Sequence, residues 1–422
     1  MAITDPAQAS GERLALLYRL SQTFNSSLDL DQVLNLVMDE VIAVTGAERG
    51  FLTLREANGS LMFRVARGMD QKTIDDPQFQ ISRSVVERVA QEGEPILTSD
   101  AQRDDRFSAR QSVMILGLRA ILCVPLKIKD QVLGVVYVDN RLQTGIFTEA
   151  DLELLTAIAS SAAIAIENAR LYQVAVEKGR MERELQMARE VQSSLLPQET
   201  PQVPGWEFAA RWQPAREVGG DYYDFLLLDE AGLGLVIADV SDKGMPAALF
   251  MACTRSVVRA SLSRAASPAE AMAHANRLIC ADAGSGMFVT LFYALLDPAT
   301  AEMTYVNAGH NPPLFYSADQ DQLTTLTRTG MALGVVEDSL FEQRALHLDP
   351  GDFLLLYTDG VTDATDAQQQ EFGMERLEQV VLDHRQAPVV ELMAALERAI
   401  QDFVGSTAPF DDLAIVVAKC QS

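Results

Sequence analysis

The sequence predicts an α+β protein built as two sheet-containing domains joined by one long helix. Three observations carry this reading. Up to about residue 170, strand-like runs alternate with segments of helical period. Between Asp151 and Leu195, apolar residues recur at spacings of three and four. Beyond Trp206 the pattern changes to near-continuous apolar runs that end in aspartate, as buried strands leading into a site would. The 422 residues would accommodate about three ordinary domains, and two domains plus a helix account for them.

In chain order, the first helical period runs from Leu14 to Val44. The runs FLTLRE and LMFRVA follow, separated by Asn58-Gly59, the dipeptide that favours a tight hairpin turn. SRSVVERVAQEG reads as a helix, followed by PILTSD and then by residues 102–111 as a polar loop. Two further strands, AILCVPLKI and VLGVVYVDN, are joined through Lys129, Asp130 and Gln131, and a long helix starts near Thr148. The order α-β-β-α-β-β-α predicts an antiparallel sheet with helices on one face. The stretches LCVPLKIKDQVLGVVYVDN and FTEADLELL resemble a GAF domain over residues 10–170, which implies a sensor for a small-molecule or protein signal. Asn140, Phe147 and Asp151 are similar to part of the signature of cyclic-nucleotide-binding GAF domains, but Arg141 and Leu152 depart from it, so the three read as caps of strand and helix. Cys123, inside an apolar strand, reads as a small buried hydrophobe.

The helix that follows carries Leu152, Leu155, Ala159, Ala162, Ile166, Ala169 and Val176 on one seam, then Met181, Leu185, Ala188 and Leu195. Gly179 and polar neighbours interrupt the seam between Gln173 and Arg180, a pattern that marks a stutter in a two-stranded coil. Residues 171–199 are therefore expected to be a coiled-coil linker in a homodimer, the alternative being a solvated helix without a partner. Pro197 ends the helix, and PQETPQVPGW is a boundary loop.

Charge excludes some functions. Thirty-four Lys and Arg against 59 Asp and Glu give a net charge of −25, so no basic surface dominates and neither nucleic acid nor an anionic membrane is expected as a partner. The most apolar helical stretch, Leu154 to Ile166, is 13 residues long, short of the roughly 20 that span a bilayer. Four cysteines without a Cys-x-x-Cys pair indicate neither a disulfide framework nor a zinc site, and the N-terminus lacks the charge and apolar run of an export signal, so a cytoplasmic protein is expected.

The chemistry lies after Trp206. LGLVIADV delivers Asp239 at a strand end, FLLLYTDG delivers Asp359, EVGGDYYDF presents Asp221 after two glycines, and Asp411-Asp412 opens the last strand. One Asp-Gly at a strand end is an ordinary turn, but four acidic sites of this kind in one domain suggest a shared cation, since unpaired carboxylates brought together raise each other's pKa. Oxygen ligands without clustered His or Cys favour Mg²⁺ or Mn²⁺. These motifs, with AREVQSSLLP, IADVSDKGMPAALF, MFVTLFYALLD, YVNAGHNPPLF, LLLYTDGVTDA and DDLAIVVAK in order, resemble the SpoIIE-like branch of the PPM serine/threonine phosphatases over about residues 185–420.

The resemblance implies a β-sandwich flanked by helices as the phosphatase domain, 200–420. It also implies two ions held by Asp221, Asp239, Asp359, Asp411 and the backbone carbonyl of Val240. Asp239 would bridge the ions, and a water activated between them would attack the phosphoserine or phosphothreonine of a partner protein, in this branch an anti-sigma-factor antagonist. Arg216 is a candidate phosphate clamp, with a solvated arginine as the equal alternative, and His310 reads as a residue holding loop backbone. Asp242 and Ala414 depart from the usual motifs without touching a proposed ligand. The Cys253-x5-Arg259 spacing falls in a helical pattern and is not a phosphate cradle, and no phospho-acceptor or nucleotide box supports a kinase. The competing class is a non-catalytic scaffold that binds a regulatory partner through the phosphatase fold.

Overall fold

A computed structural model of the chain describes residues 6–68, 70, 81–101, 104, 118–228, 232–282, 286–407 and 409–421. It divides into two compact units, Met1–Met181 and Glu182–Ser422.

The first unit opens with α1 (Pro6–Phe24) and α2 (Leu30–Thr45) where the sequence pattern suggested one continuous helix. The break has a local cause. Asn25 and Ser26 turn their side chains onto the carbonyls of Ser21 and Thr23, and Asp29 caps α2 by accepting from the Gln32 N–H at 2.8 Å. Strands β1 (Arg49–Arg55), β2 (Leu61–Gly68), β3 (Ile96–Thr98), β4 (Ala120–Ile128) and β5 (Gln131–Asn140) form one antiparallel sheet in the order β2-β1-β5-β4-β3. The hairpin turn falls at Asn58-Gly59, with Gly59 at φ 84°. Most of the expected polar loop at 102–111 lies outside the described residues.

Helices cover both faces of this sheet, not the one that element order suggested. Leu122, Val124, Val136 and Val138 pack with α1, α2 and the long helix, whereas Ile121, Cys123, Val135 and Tyr137 pack with α3 (Arg83–Glu92). The unbroken apolar runs of β4 and β5 are what a strand buried on both faces requires. Cys123 is wholly buried, and burial raises its thiol pKa. The residues compared with a nucleotide signature serve as caps and core: Asn140 accepts from the N–H groups of Leu142 and Gln143, Asp151 accepts from the N–H and hydroxyl of Thr148, and Phe147 is buried.

The long helix α4 (Glu149–Leu195) is continuous over 47 residues, about 70 Å at the helical rise. Leu155, Ala159, Ala162 and Ile166 are buried in the first unit, while Leu171, Val174, Val176 and Met181 are at least half exposed. Among the described residues, no helix is long and apolar enough to cross a membrane.

The second unit is a sandwich of two five-stranded antiparallel sheets. One contains β7 (Tyr222–Leu228), β8 (Gly232–Val240), β9 (Val289–Asp297), β10 (Glu302–Ala308) and β13 (Arg344–His347), in the order β13-β10-β9-β8-β7. The other contains β6 (Trp206–Gln213), β11 (Leu314–Ser317), β12 (Gln322–Thr325), β14 (Phe353–Tyr357) and β15 (Leu413–Cys420), in the order β12-β11-β14-β15-β6. Period-two alternation divides the second sheet's faces. Leu354, Leu356, Ala414, Val416 and Ala418 join the core shared with the first sheet. Phe353, Leu355, Tyr357, Ile415 and Val417 pack against α8 (Gly373–Asp383) and α9 (Val389–Val404). On the first sheet, α5 (Met245–Leu262) and α6 (Pro268–Asp282) supply Met251, Val258, Met272 and Ile279 to the core. The predicted α+β architecture, a sandwich flanked by helices, is the one formed.

Candidate functional site

The site is assembled at one end of the sandwich by strand register. β7 pairs with β8 so that Tyr222 faces Ala238, and the next step along that ladder brings Asp221 beside Asp239. In the other sheet Tyr357 of β14 faces Ile415 of β15, and Thr358 continues the ladder, its N–H donating to the Ala414 carbonyl at 3.0 Å. Asp359, which opens the four-residue helix α7 (Asp359–Thr362), and the pair Asp411-Asp412 follow at this end. Four distant acidic motifs are thereby gathered where two sheets meet.

Asp412 ties the sheets together. Its carboxylate accepts from the Ala215 N–H at 2.8 Å and the Gly220 N–H at 2.6 Å, fixing the loop that presents Asp221. Gly219 must be glycine, since a Cβ there would lie 2.5 Å from Asp412 Oδ2. The loop is held from its other side by Gln192 in the last turn of α4. This buried side chain donates to the Gly219 carbonyl at 2.5 Å and accepts from the Gly219 N–H at 3.1 Å. Sequence reasoning missed both Asp412 and Gln192 as loop holders; the signal available was a Gly-Gly pair whose backbone needs partners.

The electrostatics follow from crowding. Asp221 is 2% exposed, and burial, then the neighbouring Asp239, push its pKa well above the usual carboxylate range. Asp239 is raised to about 7 by burial and then by Asp359, and it lies within hydrogen-bond reach of Asp221. Asp359 is raised to about 6 by burial and by Asp411. Burial also raises Asp412, although the N–H groups of Ala215 and Gly220 oppose the shift. Asp411 is engaged by Lys243, whose ammonium lies 2.7 Å from Oδ2 and also donates to the Phe410 carbonyl at 2.8 Å.

Among the described residues, no three ligand-type side chains form a ready-made metal cage. Their mutual repulsion nevertheless places them in one field, since charge acts over longer distances than coordination. One observation matches a divalent cation directly: Asp221 Oδ2 is buried without a hydrogen-bond partner. A carboxylate oxygen left so is costly unless a cation meets it. Val240 is buried and its carbonyl faces the same loop, 2.9 Å from where a Cβ on Gly220 would stand. The donor set, carboxylates and a carbonyl, fits Mg²⁺ or Mn²⁺.

Other candidates sort clearly. Arg216 is exposed, with Nη1 3.8 Å from where a Cβ on Gly244 would stand, so it borders the loop between Val240 and α5. His310 is buried, its Nδ1 2.8 Å from the Thr290 hydroxyl and its N–H donating to Asn307 Oδ1, and burial lowers its pKa to about 3. Its ring is thus engaged by a strand side chain, Thr290 of β9, while its own backbone N–H is held by Asn307. Cys253 and Arg259 both lie in α5, and Arg259 makes two 2.6 Å bonds to the buried Asp224 of β7, so the Cys-x5-Arg spacing clips a helix to a strand.

A four-layer sandwich with carboxylates at its strand ends defines a class, the PP2C-type phosphatase fold, and the comparisons agree. The chain shares its fold with the SiaA-PP2C domain of Pseudomonas aeruginosa, at TM-score 0.53 and 20% identity over 58% of this chain and 99% of that one. Residues 229–421 match the family described as Stage II sporulation protein E (SpoIIE), and residues 29–166 match the GAF domain. The chain is 30% identical to phosphoserine phosphatase RsbU of Bacillus subtilis over 241 residues, covering 56% of this chain and 70% of RsbU. It is 31% identical to Protein IcfG of Synechocystis sp. over 260 residues, covering 55% of this chain and only 41% of IcfG. The chain belongs to the SpoIIE family of PP2C-type phosphatases and carries a GAF domain ahead of the phosphatase domain. Asp221 precedes the matched span, so its place in the site rests on geometry.

Proposed function

We propose that the chain is a metal-dependent phosphoserine and phosphothreonine protein phosphatase whose catalytic domain, 200–420, is governed by a sensor domain, 10–170, through the helical linker 171–199. The observation that supports the reading is the gathering of Asp221, Asp239 and Asp359, whose pKa values burial and one another's charge raise, with Asp411 beside them, around a buried carboxylate oxygen that lacks a partner. Asp221, Asp239, Asp359, Asp411 and the Val240 carbonyl would hold two Mn²⁺ or Mg²⁺ ions. When bound, such ions supply Lewis acidity toward phosphoryl oxygens and lower the pKa of water toward neutrality.

The chain's own residues set the geometry. Asp239 lies within hydrogen-bond reach of Asp221 and feels the charge of Asp359, so it would contribute to holding both ions. Asp412 and Gln192 keep the Asp221 loop from yielding, and Arg216, exposed at the loop's edge, would offer a planar fork to phosphate oxygens. No side-chain nucleophile is required. The SpoIIE-like resemblance points to an anti-sigma-factor antagonist as the phosphoprotein, and the relative RsbU is named a phosphoserine phosphatase. The cytoplasm is the fitting compartment. A scaffold role without catalysis would leave the complete acidic set unexplained.

Hydrolysis of p-nitrophenyl phosphate should vanish with chelator and return with Mn²⁺. Turnover that persists after exhaustive chelation would sink the metal-dependent reading.

The exposed apolar residues Leu171, Val174 and Val176 support a homodimer through the linker. In light scattering, Leu171→Glu with Val176→Glu is expected to weaken the dimer at least tenfold. An unchanged mass at all concentrations would move the interface elsewhere.

A further inference from the structure

A cleft of about 380 Å³ opens beside the acidic site and shares Gly360 and Asp411 with its wall. Its volume is in the range of specific binding sites. It extends from the carboxylates along β15 and β6, beneath α9. Half-buried Val404 and Leu413 supply an apolar strip on its floor, and the polar side chains of Gln213, Gln401, Thr365 and Thr407 stand around it. Phe410, 64% exposed, forms the lip nearest the site, and its ring carries the Lys243 ammonium at 4.0 Å from the centroid. The charged pair on the walls, Arg211 and Glu397, is joined at 2.8 Å and neutralises itself. Beyond Asp411 at its inner end, the cleft offers no net charge to an occupant.

We propose that this cleft is the docking groove for the polypeptide that flanks the phosphorylated residue: an uncharged segment that lays an apolar side chain on Val404 and Leu413 while its phosphate enters among the carboxylates. The proposal rests on the phosphatase reading and adds the substrate's class to it. Continuity selects the occupant. A chain whose phosphoserine reaches Asp359 has its neighbouring residues at Gly360 and Asp411, which are already cleft wall. Self-neutralised walls disfavour a flank rich in either sign, because an unpaired charge would meet no partner there, and the apolar strip of Val404 and Leu413 rewards one aliphatic or aromatic side chain.

The experiment compares the full chain with Gln401→Trp and Thr365→Trp, which crowd the groove from α9 and from the segment after α7, at positions outside the acidic site. Two substrates are read with Mn²⁺: p-nitrophenyl phosphate, which has no flanks, and a phosphoserine peptide library randomised at the flanking positions. Wild-type kcat/KM is expected to favour peptides with one uncharged apolar flank by about tenfold or more over Gly/Ser-flanked peptides. Both variants should lose that preference while keeping p-nitrophenyl phosphate turnover within about twofold of wild type. A flat preference in wild type, or one that survives in both variants, with p-nitrophenyl phosphate still hydrolysed, would overturn the groove and leave the phosphatase reading standing. Absence of Mn²⁺-dependent hydrolysis of either substrate by wild type would overturn both.

Discussion

If Asp239 and Asp359 are metal ligands as proposed, Asp239→Asn and Asp359→Asn should each lower turnover by about 10³-fold or more, since losing one would remove several kcal/mol of charge stabilisation and each 1.4 kcal/mol is tenfold. The same substitutions should do the opposite to stability when no cation is present. Asp239 is raised from an ordinary 3.8 to about 7 and Asp359 to about 6, chiefly by burial and then by neighbouring carboxylates. A carboxyl whose folded pKa lies above its unfolded value binds more protons in the fold, so its penalty is absent below about 3.8, grows as pH rises and is complete above about 7 for Asp239. Metal-free wild type should therefore lose stability as pH rises between about 4 and 7, and Asp239→Asn should flatten that slope. At pH 8 with chelator the variant should melt higher than wild type, by about 2–4 °C for each kcal/mol of relieved penalty. Mn²⁺ should reverse the order, because wild type gains binding energy that the variant cannot. Calorimetric melts with and without Mn²⁺ read all of this. Equal melting curves for variant and wild type under both conditions, or undiminished turnover, would mean that Asp239 is a structural turn.

What the sequence made legible followed from periodicity and from chemistry concentrated in short motifs. Strands β8 and β14 were readable because buried strands need unbroken apolar runs, and the aspartates at their ends stood out against them. The long helix was readable from its spacing, to within a residue or two at either end. Other features depended on long-range pairing, which no local window contains. The split between α1 and α2 turned on side chains of Asn25, Ser26 and Asp29 folding back on the backbone. That α3 covers the second face of the first sheet followed from which residues of β4 and β5 point away from α2. Within the acidic pair, the local pattern did not separate the two roles. Asp411 turns toward Lys243 and the site, whereas Asp412 accepts two N–H groups about 190 residues earlier in the chain. Gln192 was visible only as part of a motif, because its partner Gly219 belongs to a loop 27 residues on.

Gly360→Ala is expected to damage fold and function together, for a reason that lies in the meeting of the two strand ends. A Cβ at Gly360 would stand 1.8 Å from the Asp412 carbonyl oxygen and 2.8 Å from its carbon, closer than any van der Waals contact permits. The clash is with backbone, so no side-chain rotation relieves it. The end of β14 must move away from the start of β15, and these ends carry Asp359 and Asp411. The cost should reach about 3 kcal/mol, the upper part of the overpacking range, and a shift of even 1 Å in the carboxylates should lower kcat by about 10²-fold in whatever fraction remains folded. Gly373→Ala is the control. It sits at φ 77° with nothing within 4 Å of the added methyl, so it should cost about 1 kcal/mol through backbone strain and leave kcat unchanged. Denaturant melts give the stability difference, and kcat per folded molecule, measured on p-nitrophenyl phosphate with Mn²⁺, gives the positional effect. A Gly360→Ala protein as stable and as active as wild type would show that the two strand ends are not held in the contact on which the convergence of Asp359 and Asp411 depends.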